Sequence, residues 1–368
     1  MKKTIAIVGF VFLVAGVFSV FIFQRKQPES VQSNQDKNQA VAVMAENLVV
    51  PWSIVFLPDT KILVAERSGI IRQIDENGNY KNDPFATISD VKEIGEGGLL
   101  GMVLHPDFIQ NKYIYLYYTY NGEGEETLNR VVRMKYQDDK LYNQEILLDN
   151  IPGASNHNGG RIKFGPDRLL YITTGDAQNP SQAQDKTSLA GKILRVTDEG
   201  KVPDGNPFGN PVYSYGHRNP QGLDWDMSGR LWATEHGRSG VVSGLDELNY
   251  IEIGKNYGWP VIEGEESRQG MVSPILNSGS TVTWAPSGAA FYGKSLFFAG
   301  LRGKALYEAV FEDSGVRIRE HLKNKYGRIR EVALGPDNLL YITTSNRDGR
   351  GIPSVSDDKI LVVDPSKL

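Results

Sequence analysis

The 368-residue sequence predicts an all-β protein, a six-bladed β-propeller of four-stranded antiparallel blades preceded by an N-terminal apolar helix. Three observations carry this. The first is a recurring hairpin: Gly165-Pro-Asp-Arg-Leu-Leu-Tyr-Ile-Thr-Thr174 returns almost letter for letter as Gly335-Pro-Asp-Asn-Leu-Leu-Tyr-Ile-Thr-Thr344. Its Pro presets φ and its Asp can bond its own backbone, which marks a turn between two strands. The second is spacing. Weaker copies begin at Phe56, Leu104, Trp225 and Phe291, so six copies follow one another at roughly 45–65 residues, enough for a four-stranded blade with its loops. The third is punctuation: 39 Gly and 18 Pro interrupt a chain with almost no sustained helical period after its N-terminus. A row of β-sandwiches is the plainer alternative, but it gives no reason for one turn motif to recur at blade spacing.

Residues 1–27 stand apart from the repeat. Met1-Lys2-Lys3 precedes an uncharged run from Thr4 to Phe23, and Gln24-Arg25-Lys26 follows. About 20 apolar residues suffice to span a bilayer, whereas a cleavable signal core is about 7–15. A signal anchor or signal peptide is expected, with the remainder exported to the periplasm or cell surface and touching the membrane through this segment only. The chain has no cysteine, which excludes a lipoprotein anchor, a disulfide framework and a Cys-x-x-Cys-His haem site. Residues 28–45 read as a flexible polar stalk, and residues 46–368 as the propeller. Within it, Ile70–Ile74, Arg130–Met134, Lys192–Val196 and Lys359–Val363 fit third and later strands. A net charge of −4 without a basic stripe gives no support for nucleic-acid binding.

Five polar, Gly-rich stretches fall between strands, where propeller loops gather at one mouth. They are Gly95–Gly101, Ser155–Arg161, Tyr213–Leu223, Glu235–Arg238 with its continuation to Pro260, and Arg328–Glu331. Singly, each has a bland reading. A loop histidine such as His157 is usually solvated; Arg328 and Arg330, alternating on a strand, can be a solvated face. Asp246 and Glu247 fall short of the donor set Ca²⁺ needs, and Gly95–Gly98 lacks the Lys-Ser/Thr of a phosphate loop. Together, one candidate base, several arginines and a group of carboxylates and carbonyls describe a pocket for a planar polyanion plus Ca²⁺.

At these residues the sequence resembles the soluble pyrroloquinoline quinone (PQQ)-dependent glucose and aldose sugar dehydrogenases, the glucose/sorbosone dehydrogenase type, from about Val49 to Val363. Tyr215-Gly-His-Arg-Asn-Pro-Gln-Gly-Leu223 is the most specific stretch; Gly97-Gly-Leu-Leu-Gly101, His105-Pro-Asp-Phe108 and Asn256-Tyr-Gly-Trp-Pro260 are others. The resemblance implies that PQQ oxidises an aldose to its lactone and that an external acceptor takes the electrons. It implies that His157 is the base and that Arg218 and Asn219 contact PQQ, with Arg218 at the reacting carbonyl. Arg328 and Arg330 match its carboxylate ligands, and Arg302 stands where a lysine is common. Gly237 and Arg238 match carbonyl ligands of a Ca²⁺ at the cofactor; Glu247 and Tyr257 match a second, structural Ca²⁺. Two positions depart from the pattern. Glu96 replaces a glutamine that contacts PQQ, where a carboxylate would be repelled unless protonated or turned to a cation, and Asn156 replaces an aspartate beside the base. A Ca²⁺-dependent propeller lactonase or hydrolase, and a non-enzymatic propeller that binds a glycan or protein, are the alternatives. Neither needs several cations converging on one ligand together with a base.

Overall fold

The computed structural model describes residues 39–240 and 243–368. The N-terminal apolar helix and the stalk as far as residue 38 lie outside the described residues. Among those described, no helix is long and apolar enough to cross a membrane.

The repeated hairpin owes its recurrence to its aspartate. Asp167 accepts the Leu169 N–H at 3.2 Å and the Tyr171 hydroxyl at 2.9 Å. Asp337 accepts Leu339 N–H at 3.2 Å and the Tyr341 hydroxyl at 3.0 Å. One side chain therefore closes the turn and anchors the aromatic ring of the next strand. All six copies form the hairpin between the first and second strands of a four-stranded antiparallel sheet.

The first strands, Pro51–Phe56, Leu99–Leu104, Ile162–Phe164, Pro220–Trp225, Pro286–Tyr292 and Ile329–Leu334, each neighbour the next, and the last returns to the first. That closed ring is the propeller. Each junction between blades holds its own apolar cluster. Ile71 with Leu116, Tyr117 with Ile172, Ile193 with Leu223, Trp232 with Phe298, Phe297 with Ile342, and Ile360 with Ile54 mark the six in turn. Second strands such as Leu170–Thr174 are buried throughout because both faces meet a neighbouring sheet, so they read as continuous apolar runs rather than alternations.

The ring closes with a strand from the chain's start. Val41–Ala45 pairs antiparallel with Ile360–Val363, Val41 opposite Val363 and Val43 opposite Leu361, and forms the outermost strand of blade six. Residues 41–45 were expected in the stalk. They belong to the propeller, whose start therefore precedes residue 46. Their pairing partner is at the other end of the chain, so no local pattern announces it.

In an antiparallel sheet, the loop after the second strand and the loop after the fourth leave from the same edge. The hairpin turns therefore occupy one face of the ring, and these other loops share the opposite face.

Candidate active site

A cavity of about 460 Å³ opens on that second face. Entry loops to the first strands contribute Glu96, Asn156, His157, Arg218 and Arg328; loops after second strands contribute Gln178, His236 to Gly240, Arg302 and Arg350. All five stretches singled out in the sequence meet here. Of the expected site residues, Glu96, His157, Arg218, Gly237, Arg238, Arg302 and Arg328 line the cavity. Asn219, Arg330, Glu247 and Tyr257 are not among its lining residues.

His157 sits in a left-handed backbone conformation, φ 60°. The loop is held tightly: a Cβ on Gly175 would come within 2.0 Å of the His157 carbonyl, so only glycine fits there. The imidazole Nδ1 lies 2.8 Å from Asp176 Oδ1. Asp176 is fully buried and also accepts the Trp259 indole N–H at 2.8 Å and the Gln178 N–H at 2.9 Å. A carboxylate only accepts, so Nδ1 carries a proton, and in the neutral imidazole it is Nε2 that has the lone pair. Nε2 has no protein partner among the described residues, on a side chain that lines the cavity.

The Tyr-Gly-His-Arg-Asn stretch is folded around buried Glu235. His217 Nδ1 lies 2.9 Å from its carboxylate, and the backbone N–H groups of Arg218 and Asn219 donate to the other oxygen. The Arg218 side chain is thereby aimed into the cavity. It donates to Ser239 Oγ at 2.9 Å and to the His236 carbonyl at 3.4 Å, and its guanidinium lies 5.3 Å from the Trp259 ring centre. Burial pulls its pKa below the usual arginine value. Asn219 accepts the Gly159 N–H at 3.0 Å and so ties its loop to that of His157. Among the described residues, Arg218 Nε, Asn219 Nδ2 and His236 Nε2 are buried without a partner. Burial lowers the His236 pKa to about 3, so this imidazole is neutral at physiological pH.

Arg328 and Arg330 converge on Asp348. Its Oδ2 lies 2.8 Å from Arg328 Nε and 3.2 Å from Arg330 Nη2. Burial opposes ionisation of Asp348, and Arg330 and Arg328 outweigh it, so its pKa falls below the ordinary range. Two guanidiniums against one carboxylate leave an excess positive charge at the wall.

Asp246 spends its carboxylate on the N–H groups of Gly237, Trp284 and Ala285. Among the described residues no N–H or O–H donates to the Gly237 carbonyl, and that of Arg238 accepts only a long 3.4 Å bond from Gly244. Glu247 faces Glu235 directly across two strands. Burial, then the Glu235 charge, raises its pKa to about 8, and the Asn249 amide oxygen beside it is buried with no donor among the described residues. Tyr257 stacks on His217 at 4.7 Å, and its hydroxyl is used by the Tyr250 carbonyl and the Glu252 N–H. Only its backbone carbonyl is left to serve a cation. No three His, Cys, Asp or Glu side chains converge as a metal site among the described residues.

Asp176, Trp259, His236, Asp348 and Arg350 shape this site and were not singled out as site residues from sequence. Asp176 had a signal. The two best copies of the repeat agree through Thr174 and Thr344 and then part, Gly175-Asp176 against Ser345-Asn346, and departures from a repeat are where function is added.

A family model described as "Glucose / Sorbosone dehydrogenase" matches residues 48–355. The aldose sugar dehydrogenase YliI of Escherichia coli K12 is 34% identical over 343 residues, 84% of this chain and 91% of that protein. Quinoprotein glucose dehydrogenase B of Acinetobacter calcoaceticus is 33% identical over 280 residues, 66% of this chain and 57% of that one. The PQQ-bound aldose sugar dehydrogenase of Streptomyces coelicolor superposes with a TM-score of 0.81 at 40% identity, covering 88% of this chain and 97% of that one. With a propeller whose loops gather a histidine–aspartate pair and several arginines about one cavity, and with these matches along most of its length, the chain belongs to the glucose/sorbosone dehydrogenase family.

Proposed function

We propose that the protein oxidises aldose sugars to lactones with PQQ held in the arginine-lined cavity, Ca²⁺ at the Gly237 and Arg238 carbonyls, and an external acceptor taking the electrons. The observation that carries this reading is the His157–Asp176 pair, with Nε2 turned free at a cavity ringed by guanidiniums. The fit is chemical as well. Orphaned donors on Arg218 and Asn219 suit a ligand rich in acceptor oxygens, and the excess charge of Arg328 and Arg330 suits its carboxylates.

Bound there, PQQ supplies the hydride acceptor and Ca²⁺ a Lewis acid. The chain's own residues do the rest. His157 Nε2 takes the proton of the anomeric hydroxyl, and Asp176 fixes the ring and stabilises the imidazolium that forms. Arg218 holds a cation, already oriented, where negative charge develops. The substrate loses one C–H and one O–H bond, so a lactone and two reducing equivalents result. The purified protein should reduce a redox dye with aldoses only when PQQ and Ca²⁺ are supplied; dye reduction without PQQ would defeat the proposal.

A second Ca²⁺ at Glu247 and the Tyr257 carbonyl is part of the same reading, and it predicts a pH effect. Without a cation, folded Glu247 keeps its proton to about pH 8, while the unfolded chain releases it near pH 4.3. The folded state then binds the extra proton, so stability falls as pH rises through that window, by at most roughly 1.4 kcal/mol per pH unit. In chelator the wild type should lose melting temperature from pH 5 to 8, and added Ca²⁺ should suppress the loss. Glu247→Gln should abolish this component, and a variant that keeps the wild-type fall removes Glu247 from the site.

The protein is also read as exported and tethered through residues 4–23, on the strength of that uncharged run. Digestion of the propeller by protease added to spheroplasts tests this, and full protection would overturn it.

A further inference from the structure

Glu96 poses a problem for the cavity it lines. An ionised carboxylate in that wall repels a ligand that carries carboxylates of its own. We propose that Arg350 is a positioning residue that neutralises Glu96 and thereby sets how tightly an anionic cofactor binds, an inference that rests on the PQQ reading above.

Three observations converge. Arg350 Nη1 pairs with Glu96 Oε1, and Nη2 donates to Asn156 Oδ1 at 2.9 Å. The other Glu96 oxygen accepts the His157 backbone N–H at 3.3 Å. One guanidinium in blade six therefore holds the loops that enter blades two and three, on either side of the base. Next, the Arg350 loop is fixed by the residue that gathers the cofactor arginines. Asp348 Oδ1 accepts the Arg350 N–H at 2.9 Å while Oδ2 meets Arg328 and Arg330. Finally, the partners differ in burial: the Arg350 side chain is 54% exposed and that of Glu96 18%. Loss of the outer partner leaves the inner charge in place. Burial opposes ionisation of Glu96, and the positive charge around it, with Arg350 in direct contact, outweighs burial and holds the carboxyl well below the usual carboxylate range. Arg350 is the permanently charged side chain in direct contact with that carboxylate, while Arg218 and Arg330 add positive charge at longer range. The two departures from the family pattern, Glu96 and Asn156, are thus served by one side chain.

The test is PQQ affinity of the metal-supplied, cofactor-free full chain, read by quenching of tryptophan fluorescence and so independent of turnover. Arg350→Ala should weaken binding about five- to tenfold, as expected for a half-exposed pair whose remaining charge faces an anion. Arg350→Lys, which keeps the charge, should stay within about twofold of wild type. Glu96→Gln added to Arg350→Ala should restore affinity to within about twofold of wild type, a rescue that a merely structural role for Arg350 would not give. Melting curves on the same samples establish that each variant is folded. Wild-type affinity in Arg350→Ala, or failure of Glu96→Gln to rescue, overturns the inference while leaving the PQQ reading intact. A wild-type protein that does not bind PQQ overturns both.

Discussion

Replacing His157 with alanine should leave a folded protein that binds PQQ as wild type does and oxidises aldoses about 10²–10⁴-fold more slowly, the usual cost of losing a general base. The size follows from the arrangement of the site. Asp176 takes the Nδ1 proton at 2.8 Å and is itself fixed by Trp259 and Gln178, so the imidazole is held in the one tautomer that leaves Nε2 basic. The other candidate bases lining the cavity are poorly suited: His236 has a pKa near 3 and Glu96 near 2, and Asp246 is committed to three backbone N–H groups. Turnover at saturating sugar, beside PQQ titration by fluorescence, is the measurement. A variant that turns over at near wild-type rate removes His157 from the chemistry.

Arg218→Ala should lower kcat about 10²–10³-fold at saturating PQQ, because a preorganised cation facing developing charge acts on the transition state. The guanidinium is buried, braced by Ser239 and the His236 carbonyl, and its Nε–H has no partner among the described residues. Arg218→Lys should recover little, since a point charge on a flexible stem cannot reproduce that bracing. Arg328 and Arg330 share Asp348 and face carboxylates charged throughout, so their loss should appear in PQQ affinity instead. If Arg218→Ala alters only affinity and leaves kcat unchanged, the assignment of roles is wrong.

Much of this was legible in the sequence because its signals are local. A turn aspartate that bonds the residues two and four positions on must recur in every strong copy of the hairpin, and it does at Asp167 and Asp337. The gathering of five loops at one mouth follows from antiparallel connectivity alone. What escaped the sequence is contact between blades. Val41–Ala45 finds its partner strand at the far end of the chain. Trp259 reaches Asp176 from another blade, and Arg350 reaches Glu96 and Asn156 across the ring. Glu96 looked incompatible with an anionic cofactor because its counter-charge is distant in sequence and adjacent in space. Tyr257 matched the motif in name, while its hydroxyl is occupied within its own blade.

The most direct test of the central claim is to load the cofactor-free protein with increasing PQQ at saturating Ca²⁺, mix it anaerobically with an aldose without any dye, and measure lactone. The cavity and its single base predict lactone rising in step with bound PQQ to one molecule per chain and then stopping, with further turnover only when an acceptor is added. Lactone formed in excess of PQQ, or none formed although PQQ is bound, would contradict it.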